Sequence, residues 1–247
     1  MLPFVGSCTP KWIDARESQP FQGALDPRVA APVAKRHLVA VPTFATSWNA
    51  DALVRSDGAT LGTLAAAAVE EVLEPSPKVV LDRSARDGAA ALEIRGRLVG
   101  DTRGVRHVEL ALATPDGHVL SRVTRPCDFV RERELDLSAV RSAARELVPQ
   151  LEAMPWSSCV LDTSTRYLVI SAGRECRLTL NEMLVVRLRG EPSTASAPAT
   201  PRIGNEVARV FVDSFLEREG GSVGAYCRLW GGSFSGFDPS ELVVVEH

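Results

Sequence analysis

The chain has 247 residues, 45% of them hydrophobic and 24% charged, with a net charge of −3. This is enough apolar material for a well-filled core in one or two domains, and the balance of charge makes no electrostatic case for nucleic acid. No run of about 18 apolar residues occurs, so no helix is expected to span a membrane.

The first element is a short motif. Val5-Gly6-Ser7-Cys8 reads as a lipobox: an aliphatic residue, two small residues, then a cysteine whose thiol can carry diacylglycerol. A secretory signal needs an apolar stretch of roughly 7–15 residues before such a box. Only Met1-Leu2-Pro3-Phe4-Val5 stands there. The box is therefore either the end of a signal that starts upstream or a chance match. With Cys8 lipidated, contact with a membrane would run through that lipid alone. Residues 9–36 lack clean periodicity and carry Pro10, Pro20, Pro27 and Pro32. They complete an N-terminal tether over residues 1–36.

Residues 37–156 read as an α+β domain. His37-Leu38-Val39-Ala40-Val41-Pro42 is a strand entering a core. Asp57 or Thr60 can cap a helix whose inner face is Leu61, Leu64, Ala65, Ala68, Val72 and Leu73. Val79–Leu81 is a short strand. Strands over 91–99, 107–112 and 118–123 follow, the last two joined by the turn signal Pro115-Asp116-Gly117. A helix over 138–153 closes the unit, with Pro149 disturbing its end. The order implies a small mixed sheet with helices on one face.

Residues 157–247 change character and read as all-β. Strands are expected at 159–162, 166–171, 183–188, 206–213, 222–229 and 242–246. A low-complexity loop over 190–205 interrupts them. A faint repeat links Leu180-Asn181-Glu182-Met183 to Pro239-Ser240-Glu241-Leu242. Each is a turn, a carboxylate and a buried strand, which suggests a small β-barrel of two similar halves.

Residues that carry chemistry are sparse. His37, His107, His118 and His247 are scattered. His107 and His118 could face each other across a hairpin, but two imidazoles without a third ligand make a poor metal site. No metal and no cofactor are expected. Gly231-Gly232-Ser233-Phe234-Ser235-Gly236 misses the nucleophile-elbow pattern and reads as a glycine-rich turn. No enzymatic activity is expected. Trp156 sits at the domain junction, as a packing anchor or as the platform of a ligand cleft. Trp230, Phe234 and Phe237 flank the glycine-rich turn. They either form an exposed apolar tip that binds a partner or plug one end of the barrel. Cys127, Cys159, Cys176 and Cys227 remain once Cys8 is set aside. They are either buried thiols or, after export, disulfides. Cys159 and Cys176 near the two ends of one hairpin are the candidate pair.

A resemblance adds to this reading. Leu38-Val39-Ala40-Val41-Pro42-Thr43-Phe44, the helix after it, Val79-Val80-Leu81-Asp82-Arg83-Ser84, and Ala90-Ala91-Leu92-Glu93-Ile94-Arg95-Gly96-Arg97-Leu98-Val99 resemble the core of the curli-secretion-lipoprotein and TolB-amino-terminal-like superfamily. Residues 156–247 are similar to the small β-barrel that ends the flagellar assembly protein T family. Asn181 and Ser240 stand where that family has a turn glycine, and Glu182 and Glu241 where it has aspartate. The resemblance implies a non-catalytic cell-envelope assembly protein, periplasmic and anchored at the outer membrane. Its partners would be other envelope proteins in an oligomeric ring or secretion complex, first of all a flagellar basal-body ring. Two alternatives stay open: a lipoprotein that binds and activates a peptidoglycan synthase, and a small-ligand binding protein using the interdomain cleft.

Overall fold

Two β-structures, one open and one closed, share a buried seam in the computed structural model. The structure describes residues 34–46, 60–83, 90–101, 104–127, 137–190, 203–218 and 221–247. The first structure comprises β1 (His37–Ala40), β2 (Ala45–Thr46), α1 (Leu61–Leu73), β3 (Val79–Leu81), β4 (Leu92–Asp101), β5 (Gly104–Ala113), β6 (Val119–Pro126) and α2 (Leu137–Glu152). The second comprises β7 (Ser157–Thr163), β8 (Tyr167–Ile170), β9 (Met183–Arg189), β10 (Ile203–Arg218), β11 (Gly221–Gly232) and β12 (Leu242–Glu246). The α+β class and the six barrel strands are as the periodicity predicts. Residues 191–202 of the low-complexity loop lie outside the described residues, and Ile203 already belongs to β10.

The open sheet runs β3-β1-β4-β5-β6. β1 lies parallel between β3 and β4, while β4, β5 and β6 form an antiparallel meander. β2 continues along the same edge of β4, with Ala45 opposite Arg97. The two helices pack together on one face. Thr60 caps α1 by accepting a hydrogen bond from the Thr63 backbone at 3.1 Å. Leu61, Ala65, Ala68, Val69 and Leu73 face inward, as do Val140, Ala143, Ala144, Leu147 and Leu151 of α2. Pro149 stands inside α2, which continues through it to Glu152.

Between β1 and β2 the chain drives Phe44 into this core. The ring lies flat over Gly96 of β4, where a Cβ would stand 2.2 Å from it. A Cβ on Gly62 of α1 would stand 2.4 Å from the Phe44 carbonyl oxygen, and the Phe44 amide donates to the Gly62 carbonyl at 3.3 Å. Both glycines are thus required by close approach.

The barrel closes in the order β10-β11-β8-β7-β12-β9, with β9 paired back to β10. Its interior is lined by alternate residues, among them Val160, Leu168, Ile170, Leu184, Val210 and Val244. The repeat seen in the sequence is real in structure. The Glu182 carboxylate accepts from the Thr179 amide at 2.9 Å, and that of Glu241 from the Asp238 amide at 2.8 Å. Asn181 adopts the left-handed conformation at φ 62°, whereas Ser240 sits in a short 3-10 turn capped by Asp238. Two different backbone turns therefore arrive at the same carboxylate contact.

β1 and β3 join the two structures. Val39, Val79 and Leu81 point to the helices, and Leu38, Ala40 and Val80 point to the barrel core. Trp156 is 4% exposed and completes this seam. Its Nε1 donates to the Arg36 carbonyl at 3.0 Å, and Lys35 Nζ lies 5.7 Å from the ring centroid. Lys35 also pairs with Glu182 and, at 2.9 Å, with Glu246. Burial works to lower its pKa, but these two carboxylates outweigh it and hold the ammonium above its ordinary value. Residues from Ala34 to His247 make one compact unit. Ala34, Lys35 and Arg36, expected in the tether, therefore belong to the folded body.

Candidate functional site

Among the described residues, three of the exposed large hydrophobic side chains, Tyr167, Tyr226 and Trp230, lie on the outer wall of the barrel. Because side chains alternate along a strand, Tyr226, Arg228 and Trp230 of β11 point outward while Ala225 and Cys227 point into the core. Register sets Arg228 between Tyr167 of β8 and Phe211 of β10. Trp230 is 59% exposed and meets Phe211 edge-on, with ring centroids 6.1 Å apart and planes at 77°.

On the other side of Arg228 the wall opens into a groove of about 470 Å³. Tyr167 and Tyr226, the two tyrosines of the chain, line it, each 41% exposed. Asp162 and Ser164 border it from β7 and the turn after it, and Asp213 and Ser214 from β10. A β-bulge stands on each flank. The pairing of β7 with β8 slips between Val160 and Asp162, and that of β10 with β11 slips between Val212 and Ser214. The second slip leaves Asp213 unpaired and turns Ser214, two after the inward Val212, outward beside it on the groove. Arg228 Nε lies 3.7 Å from its carboxylate.

Trp230, Phe234 and Phe237 do not project together as one tip. Trp230 is outside, but Phe234 is 2% exposed and plugs the barrel core, and Phe237 packs against the same core. The glycine-rich turn begins late. β11 runs through Gly232, whose φ of +81° and whose missing Cβ, which would lie 2.3 Å from the Val207 oxygen, let the strand leave the wall. Phe234 then turns inward.

The candidate disulfide does not form: Cys159 and Cys176 are buried thiols, and Cys127 and Cys227 are buried as well. Alternation explains why Cys159 and Cys176 miss each other. Val160 faces the barrel interior, so its neighbour Cys159 faces outward, donating to the Ala90 carbonyl at 3.4 Å and accepting from Arg189 at 3.2 Å. Cys176 belongs to the interior. Burial pushes the Cys176 and Cys227 thiols up to about 12, which removes them as nucleophiles at neutral pH. His107 and His118 do not meet either. His107 stands opposite Pro126 at one end of the β5–β6 hairpin, and His118 at the turn end. Among the described residues no group of three His, Cys, Asp or Glu side chains could hold a metal ion. Cys8 lies outside the described residues.

Sequence reasoning missed Tyr167, Tyr226 and Phe211. The signal for part of this face was present in the stride of two that links Tyr226, Arg228 and Trp230 within one predicted strand. Its meeting with Tyr167 depended on pairing that no local pattern encodes.

No protein-family model matches this sequence. No curated protein matches it either. Among solved structures, a PelC variant dodecamer from Paraburkholderia phytofirmans is similar over 49% of this chain and 91% of its own, at 20% identity and a TM-score of 0.31. A likeness of that strength transfers neither fold nor function.

Proposed function

We propose that this chain is a non-catalytic assembly protein of the bacterial cell envelope, held at the outer membrane by a lipid on Cys8, and that it works by binding. The observation that carries the reading is the outward aromatic wall of the barrel. Trp, Tyr and Arg are the side chains that dominate interface energetics, and here Trp230, Phe211, Tyr167, Tyr226 and Arg228 share one face. The Cys176 and Cys227 thiols, raised by burial, are not available as nucleophiles at neutral pH. The lipobox and the resemblance of residues 38–99 and 156–247 to secretion and flagellar proteins supply the compartment and favour a ring or secretion complex, a flagellar basal-body ring first. The ligand cleft considered near Trp156 has no open platform, because that ring is buried and its nitrogen engaged.

A photo-crosslinking residue at position 230, introduced in the native organism, tests this. The expected result is chain in the outer-membrane fraction, a modified Cys8 by mass spectrometry, and cross-links to envelope proteins. Unmodified chain in the cytosol, with no cross-linked protein, would overturn it.

A further inference from the structure

We propose that the groove between Tyr167 and Tyr226 takes a segment of an uncharged, hydroxyl-rich sugar chain. The proposal rests on the barrel wall being a binding face, and it names the ligand of one part of that wall.

The groove is built of two kinds of group. The first is the pair of half-exposed tyrosine rings. The face of a phenol ring carries partial negative charge, and the C–H face of a pyranose offers partial positive charge over a matching flat area. The second is a set of acceptors. The Asp162 and Asp213 carboxylates only accept hydrogen bonds, Asp162 keeping acceptor capacity beside the Thr163 amide it already takes at 2.8 Å; the Ser214 hydroxyl can accept as well, while that of Ser164 is bonded to the Tyr167 backbone. A ligand that satisfies them must bring many donors, as sugar hydroxyls do. The volume of about 470 Å³ lies within the range of small-ligand sites, and the groove is open rather than enclosed, so a chain can pass through it.

The neighbouring chemistry excludes other classes. A peptide adding itself as a strand needs an unpaired strand edge, and on the floor of the groove Val169 of β8 and Tyr226 of β11 are each paired on both sides. An anionic ligand would face the two carboxylates, while Arg228 is already engaged by Asp213. A metal-dependent ligand lacks a ligand set among the described residues.

The two bulges give the arrangement its specificity. A regular ladder would alternate residues evenly up the wall. The slips at Val160/Asp162 and Val212/Ser214 break that alternation on both sides of the tyrosine pair and turn Asp162 and Ser214 outward onto the groove beside Asp213. Bulges re-aim side chains next to binding sites, and here two of them do so toward one place.

The test is a titration of the full chain with cellohexaose and with chitohexaose, followed by amide and ring resonances in NMR spectra. The expected result is saturable binding of at least one hexasaccharide, with Kd at or below about 1 mM. The shifts should centre on Tyr167 and Tyr226 and persist from low to high salt. Tyr226→Ala and Tyr167→Ala should each weaken binding at least tenfold, and Tyr226→Phe should keep it within about threefold. Both tyrosines are well exposed, and thermal melts of each variant check that the fold is retained. Val119→Thr, on the distant sheet, should bind as the native chain does. Absence of saturable binding by both sugars would overturn the proposal. So would binding indifferent to both alanine variants, or a proline-rich decapeptide that shifts these resonances where neither sugar does. The titration uses purified protein, so a negative result leaves envelope location and the cross-links at position 230 standing. A cytosolic location would leave a positive titration standing.

Discussion

The open sheet and the closed barrel solve the problem of exposed backbone in different ways. The sheet ends in β3 and β6, and its β6 edge is guarded by charge: Arg122 and Arg125 are exposed there, and Pro126 ends the strand. The barrel closes on itself, and its outer wall carries aromatic side chains. The contrast teaches where a partner can be recognised. On the sheet, alternate residues are committed to the helices on one face and, near β1 and β3, to the barrel on the other. On the barrel, one set of residues fills the core and the other is left for binding.

The largest expected effect comes from uncoupling the two. Trp156→Ala removes a buried ring from the shared seam and should cost about 3–5 kcal/mol. Calorimetry should show the native chain unfolding in one transition and the variant in two, the barrel separating from the sheet. A variant that still melted in one transition, with little loss, would mean that the seam does not depend on Trp156.

A smaller break is confined to the sheet. Gly96→Ala places a methyl where the Phe44 ring lies and should destabilise by about 1–3 kcal/mol through overpacking. Amide exchange should rise in β1, β4 and α1 and stay unchanged on the far wall of the barrel. Uniform loosening would instead argue that both structures open as one.

Acid sharpens the comparison at the seam. His37 is 1% exposed, and burial lowers its pKa from 6.5, aided by Lys78; a hydrogen bond to the Met154 backbone opposes the shift. Below about pH 6.5 the unfolded chain takes up a proton that the folded chain refuses, so stability falls as pH drops through that value. Urea midpoints should decline between pH 8 and pH 5.5, and His37→Gln should flatten that slope. An equal slope in the variant would move the cause elsewhere.

The smallest stability effect belongs to the wall. Trp230→Ala should change stability by no more than about 0.5 kcal/mol, as usual for an exposed site. Affinity capture from solubilised envelope should nevertheless lose its partners. A large loss of stability would make Trp230 a structural residue and weaken the wall as a binding face.

The sequence by itself determined most of the elements and most of their inner faces, though not β2 or the buried Val69 of α1. Apolar residues at helical spacing placed α1 and α2, alternation placed the barrel strands, and the paired glutamates marked where two strands begin, while the choice of Thr60 over Asp57 as cap came from the structure. These are local signals, carried by neighbours within a turn or a strand. Tertiary structure decided what local signals cannot reach. Phe234 and Trp230 are four residues apart, yet one plugs the core and one faces solvent, because the strand leaves the wall at Gly232. Cys159 and Cys176 look like hairpin partners until strand alternation sends one outward while the other joins the interior. Tyr167 and Tyr226 become neighbours only when β8 pairs with β11, and Asp162 and Ser214 join them only because two bulges shift the register. Pairing partners and bulges are set by closure of the whole barrel, where every strand must find its neighbour at once, so the groove exists only in the folded chain.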